Sequence, residues 1–190
     1  MGKENSIFSC VGIKKVALLI VLLIVLSSGS SFLSAYSMNM FGGSMVFTSD
    51  TPTGFGISLE RIKGPDMVQN KPQLAMGLAS RLDIGFTSLD KNGFYTNLVL
   101  GAGSTIMINK YFGIALYTGP TCFFYFGNEE GTNKTKATGG LGFGVGGDLI
   151  LSFGYPSFVL KAGAFAEYQF IFTSTKPTVL GVDISVGCVF

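Results

Sequence analysis

Leu74-Ala75-Met76-Gly77-Leu78-Ala79-Ser80-Arg81-Leu82-Asp83-Ile84-Gly85-Phe86 alternates over its whole length. Every second residue is large and apolar except Ser80, and the residues between are small or charged. Successive side chains of a strand point to opposite faces, so a period of two predicts a strand with one hydrocarbon face and one face of alanine, glycine, Arg81 and Asp83. A helix would scatter the same residues around its circumference.

The pattern recurs to the end of the chain. Phe94, Leu98, Leu100, Ile106 and Ile108 alternate with Tyr95, Asn97, Gly101, Gly103 and Thr105. After a tight turn at Asn109-Lys110, Phe112, Ile114, Leu116, Phe124 and Phe126 alternate with Gly113, Ala115, Tyr117, Gly119 and Tyr125. Leu141, Phe143, Val145, Leu149, Leu151 and Phe153 face away from Gly140, Gly142, Gly144, Gly146 and Asp148. Phe158, Leu160, Tyr168, Phe170 and Phe172 oppose Lys161, Gly163, Glu167 and Gln169, and Leu180, Val182, Ile184, Val186 and Phe190 oppose Gly181, Asp183, Ser185 and Gly187. The apolar parity of these six strands carries no charge. Upstream, 53–62 with Phe55, Ile57 and Leu59 on one face makes a seventh strand, and Ser37 to Thr48 a weaker eighth.

Such a surface belongs inside a soluble sandwich or outside a membrane barrel. The chain is 47% hydrophobic and only 13% charged, about half the charge an ordinary soluble domain uses. Strands of about 15 residues suit tilted membrane strands better than the usual soluble sheet. Phe86, Phe94, Phe112, Phe126, Phe153, Phe158, Phe172 and Phe190 collect at strand ends, where membrane interfaces place aromatic girdles. Glycine suits the crowded inside of a narrow barrel better than a solvated face. The apolar face is therefore expected to point outward to lipid. Backbone groups in hydrocarbon must all be paired, so the sheet must close, and it closes on an even strand count. The expectation is all-β: an eight-stranded antiparallel up-and-down transmembrane β-barrel. Outer loops centre on 49–52, 89–92, 128–136 and 174–177, with tight inner turns except the long connection 64–72. Two positions threaten the register, Pro120 and Gly146-Gly147, either of which would swap the faces beyond it. The alternative is a soluble or periplasmic barrel holding an apolar ligand.

Residues 1–35 read as an address and 36–190 as the barrel. Lys3, Lys14 and Lys15 precede eleven apolar residues, Val16 to Leu26, and a tail of serines and small residues. A spanning helix needs about 20 apolar residues, so this is expected to be a cleaved signal peptide, cut near residue 30 or 35. An uncleaved anchor is the alternative. From residue 36 onward, ten basic residues face ten acidic ones, which leaves no basic face for a nucleic acid. The chain has no histidine, which excludes Ser-His-Asp hydrolysis and His-bound zinc.

The alternating strands, the signal segment and the final Val186-Gly187-Cys188-Val189-Phe190 resemble the small eight-stranded outer-membrane barrels of diderm bacteria, the class that includes the OmpA membrane domain, OmpX and OmpW. The resemblance covers nearly all of 36–190 and is specific for architecture rather than for a subfamily. It implies location in the cell outer membrane, outer-membrane lipid as surroundings, and Val186 and Phe190 as the signal read by the barrel assembly machinery. It also implies that the chain is not an enzyme, because the enzymes of this class are similar to one another in relying on a histidine.

Parity turns Arg81, Asp83, Asp148, Lys161, Glu167 and Asp183 inward. Folding the last hairpin about Thr173-Ser174-Thr175 sets Glu167 near Asp183, two acids that need a cation between them, with Arg81 the best placed. Lys161 and Asp148 are expected to pair. Such charges can plug a narrow barrel or line a gate. Tyr95, Val99, Tyr117, Phe123, Tyr125, Phe165 and Ile150 share the inward parity and can fill the lumen or line a passage for small apolar molecules, since eight strands leave little space beyond side chains. Gly142-Phe143-Gly144-Val145-Gly146-Gly147 fits a dinucleotide-loop pattern, but strand rather than helix follows, so it reads as room for the lumen. Cys122 and Cys188 fall on strands that are not neighbours, which argues against a disulfide. No metal or cofactor is expected. The functional expectation is a structural outer-membrane barrel or a narrow pore for small solutes. A surface interaction barrel is a further alternative, in which the charged loop 127–137 is a candidate contact.

Overall fold

The computed structural model describes residues 37–49, 53–65, 71–87, 93–128, 135–153, 158–171 and 178–189. The signal segment, Phe172, Phe190 and most of the expected outer loops lie outside the described residues. Eight strands follow in order: β1 (Ser37–Thr48), β2 (Gly54–Lys63), β3 (Gln73–Thr87), β4 (Phe94–Met107), β5 (Phe112–Asn128), β6 (Thr135–Ser152), β7 (Phe158–Ile171) and β8 (Thr178–Val189). Each pairs antiparallel with the next, and β1 pairs with β8 from Met38 opposite Val189 to Thr48 opposite Val179. The sheet is a closed barrel, so the strands present no free edge.

The alternation is realised in burial. Leu74, Met76, Leu78 and Phe86 of β3 are exposed, whereas Ala75, Ala79, Arg81 and Asp83 are buried. Leu116, Val145, Leu149, Val182 and Ile184 continue the exposed surface on β5, β6 and β8. Monomers in water rarely expose contiguous apolar surface beyond a few hundred Å². Here it girdles the molecule. Phe55, Phe86, Phe94 and Phe126 are successive register partners on β2 to β5, all exposed, and form one arc of an aromatic belt. Phe86 and Phe94 meet edge to face, 5.9 Å between centroids.

At the opposite end the β4–β5 turn is held by Asn109, whose Oδ1 accepts from the N–H of Tyr111 at 2.8 Å and of Phe112 at 2.9 Å. This is the side-chain mimicry of a backbone turn for which asparagine is suited.

Neither suspected position swaps the faces. At Pro120 the β4–β5 ladder lapses between Val99–Thr121 and Ala102–Thr118, then resumes in the same register. Proline has no N–H to give, so a rung is lost while the register survives. Gly146 and Gly147 pair regularly with Phe165 and Ala164, and the irregularity of β6 against β7 falls instead between Leu141 and Gly142. Inward glycines let the wall coil tightly. Gly56 and Gly85 face each other across β2–β3, and a Cβ on either would run into the other strand's backbone.

Candidate functional site

The charged residues buried in the lumen form two groups among the described residues. The first is built on Arg81, placed by β3 with its guanidinium inside the barrel and 1% exposed. Asp83 projects the same way two residues on, and the two side chains form a fork: Nε donates to Asp83 Oδ2 at 2.8 Å and Nη2 to Oδ1 at 3.0 Å. Nη1 reaches across the lumen to Asp183 Oδ1 on β8 at 2.6 Å and donates to the Tyr117 hydroxyl on β5 at 3.0 Å. The guanidinium carbon lies 4.0 Å from the centroid of the Phe165 ring, a geometry that favours a cation.

Lys161 of β7 is the second positive centre and is fully buried. Its Nζ donates to Glu60 Oε2 of β2, lies 2.8 Å from Asp183 Oδ2 and 3.2 Å from Asp148 Oδ1 of β6. Ser185 Oγ donates to Asp183 Oδ2 at 3.1 Å. Strands β2, β3, β5, β6, β7 and β8 are thus tied through the middle of the barrel. Fixed, mutually hydrogen-bonded charges of this kind add little net stability over apolar packing, yet breaking them is costly because a buried charge is stranded.

The second group holds Glu167. Asn97 Nδ2 donates to Glu167 Oε1 at 2.7 Å across the lumen, and Gln169 Nε2 donates to Oε2 at 3.2 Å and to Thr121 Oγ1 at 2.9 Å. Tyr95, Val99, Tyr117, Phe123, Tyr125, Ile150 and Phe165 pack around both groups in one continuous buried cluster with Met38, Met40, Ile62 and Met107. A cleft too narrow to admit a water molecule lies against the network, bordered by Glu60, Arg81, Val99 and Tyr117.

All six charges expected to face inward are buried, and Lys161 is beside Asp148 as the sequence suggested. The expected Glu167–Asp183 proximity is corrected. Glu167 stands opposite Val179, and Asp183 opposite Gly163. The hairpin centres two residues earlier than the sequence suggested, and each such step moves a partner by two, so the acids separate while both keep the inward parity. Arg81 consequently bridges Asp83 and Asp183 rather than serving Glu167. Glu60 was missed altogether. The outward Phe55, Ile57 and Leu59 already assign it to the lumen by parity, which is the signal that would have found it. Cys122 and Cys188 are free thiols.

No family model matches the chain, and no curated protein sequence does. Solved structures do match. The chain is similar to Ail, the attachment invasion locus protein of Yersinia pestis, solved in complex with the heparin analogue sucrose octasulfate, at 16% identity and a TM-score of 0.52, covering 83% of this chain and all of that one. It is also similar to neisserial surface protein A at 11% identity and a TM-score of 0.55, covering 82% of this chain and 96% of that one. Both are small eight-stranded outer-membrane barrels, and the chain shares their fold.

Proposed function

We propose that the chain is an outer-membrane barrel whose lumen is plugged, a non-enzymatic scaffold that acts through what its loop-bearing end presents. The observation that carries this reading is the fixed network of Arg81 and Lys161 with Glu60, Asp83, Asp148 and Asp183, which spans the lumen between strands three apart in the barrel. A continuous water path would have to pass these charges and the Tyr117 and Phe165 rings packed on them. The girdle of exposed leucine, isoleucine and phenylalanine supports lipid as the surrounding medium. In this reading the chain is delivered through a cleaved signal segment and inserted by the barrel assembly machinery, and Val186 is exposed on the outer face of β8. An attachment invasion locus protein among the proteins of the same fold supports surface interaction as the work of the loops.

The test is single-channel recording of the refolded chain 36–190 in a planar bilayer. Silence after verified insertion is the expected result, and reproducible openings would overturn the plug. A narrow solute pore is the second reading, favoured by the charged and polar side chains that line the lumen on several strands. It requires openings whose size changes when Arg81 is replaced.

A further inference from the structure

The charges of the first lumen group do not balance. Arg81 and Lys161 supply two positive charges, while Glu60, Asp83, Asp148 and Asp183 supply four negative ones, every one of these side chains buried. Uncompensated carboxylates removed from water are among the costliest groups a fold can hold.

The surplus is localised. Arg81 takes both oxygens of Asp83 and one of Asp183. Lys161 takes the other oxygen of Asp183 together with Glu60 Oε2, and faces Asp148 Oδ1. What remains is Glu60 Oε1 and Asp148 Oδ2, both buried and both without a hydrogen-bond partner. Asp148 Oδ1 likewise accepts no aligned hydrogen bond. Glu60, Asp148 and Asp183 each bring one carboxylate oxygen within 4.8 Å of the others, and Lys161 Nζ lies against one oxygen of each. Magnesium dehydrates reluctantly and keeps several waters, so a closely packed lumen favours calcium.

We propose that Glu60 and Asp148, with Asp183 beside them, form a binding site for a hard divalent cation of calcium size at the centre of the lumen. The ion takes Glu60 Oε1 and Asp148 Oδ2, the oxygens that Lys161 leaves free, while both oxygens of Asp183 stay with Arg81, Lys161 and Ser185. A single divalent ion cancels the surplus of two negative charges. It would tie β2 to β6 through the barrel interior, a cross-link that the strand ladders do not supply. The site stands independently of whether the loops bind a partner.

The experiment uses chain 36–190 refolded in detergent micelles, stripped with a chelator and titrated calorimetrically with calcium chloride, then with magnesium chloride. One saturable calcium site per chain is expected, with weaker magnesium binding and a higher urea midpoint in calcium than in chelator. Asp148→Asn and Glu60→Gln should each weaken calcium binding by about tenfold or more, since each removes a charged ligand. Glu167→Gln, outside the site, should leave it unchanged. Absence of saturable calcium heat and of any midpoint shift in the unaltered chain would overturn the proposal and leave protons as the neutralising species. Full calcium binding retained by the Glu60→Gln, Asp148→Asn double variant would overturn it equally, by placing the ion elsewhere.

Discussion

Replacing Arg81 with methionine should be among the most damaging single changes in the barrel. Both oxygens of Asp83 receive their hydrogen bonds from this guanidinium, at 2.8 and 3.0 Å. Removing it strands the Asp83 carboxylate, itself fully buried. Asp183 keeps Lys161 and Ser185 and suffers less. Stranding one partner of a buried ion pair costs about 3–5 kcal/mol. The lost stacking on Phe165 adds about 0.5–2 kcal/mol, partly returned by methionine packing on the same ring. A net loss of about 4 kcal/mol corresponds to about a thousandfold in the folding constant. The assay is urea titration of the barrel in lipid vesicles, read from the shift in gel mobility between folded and boiled forms. The double change Arg81→Met with Asp83→Asn removes the charge left stranded and should recover more than half of the loss. Arg81→Lys keeps the charge but cannot present two N–H groups to Asp83 while reaching Asp183, and should fall between. A loss below about 1 kcal/mol for Arg81→Met, or no recovery in the double variant, would refute a network that matters through buried charge.

Other outcomes follow from the two faces of the wall. The chain contains no tryptophan, so Ile184→Trp, at a position 66% exposed on β8, gives a single reporter that lipids brominated along the acyl chain should quench strongly; Phe165→Trp, inside the lumen, should resist the same quencher. Leu78→Lys places an ammonium on the exposed apolar surface of β3 and should lower stability by about 2–4 kcal/mol where that surface meets the bilayer midplane, measured by the same urea titration; a neutral result would count against lipid contact there. Gly85→Ala drives a methyl group into the backbone of Phe55 and Gly56 and should cost about 1–3 kcal/mol through overpacking. Gly147→Ala, on the outer parity, would meet the flexible end of the Leu116 side chain and, at ordinary van der Waals distance, the Ala115 carbonyl oxygen, and should be close to neutral in the same measurement.

The position of the strands was legible because alternation is a local property. Leu74, Met76 and Leu78 against Ala75, Gly77 and Ala79 identify a strand and its faces without reference to any other part of the chain. The inward parity of Arg81, Asp83, Asp148, Lys161, Glu167 and Asp183 came from the same reading and needed no tertiary knowledge. Pro120 and Gly146-Gly147 looked like register breaks because proline and glycine weaken a ladder. They did not act as breaks, because pairing on both sides of a closed wall holds a strand in register even where one rung is missing.

Contacts inside the lumen were not legible in the same way. Two steps in the centre of the β7–β8 hairpin moved Asp183 from Glu167 to Gly163 while changing no face, so parity alone could never have detected the error. Arg81 with Asp183, Lys161 with Glu60, and Asn97 with Glu167 join strands that are not neighbours in the sheet. Alternation determined, from sequence alone, that this chain makes strands with one apolar face, which residues lie on each face, and that the strands suffice to close a barrel. Only the closed barrel decided which buried charges meet, because strand register and the curvature of the wall bring them together across the lumen, and both are set by the whole sheet rather than by any one strand.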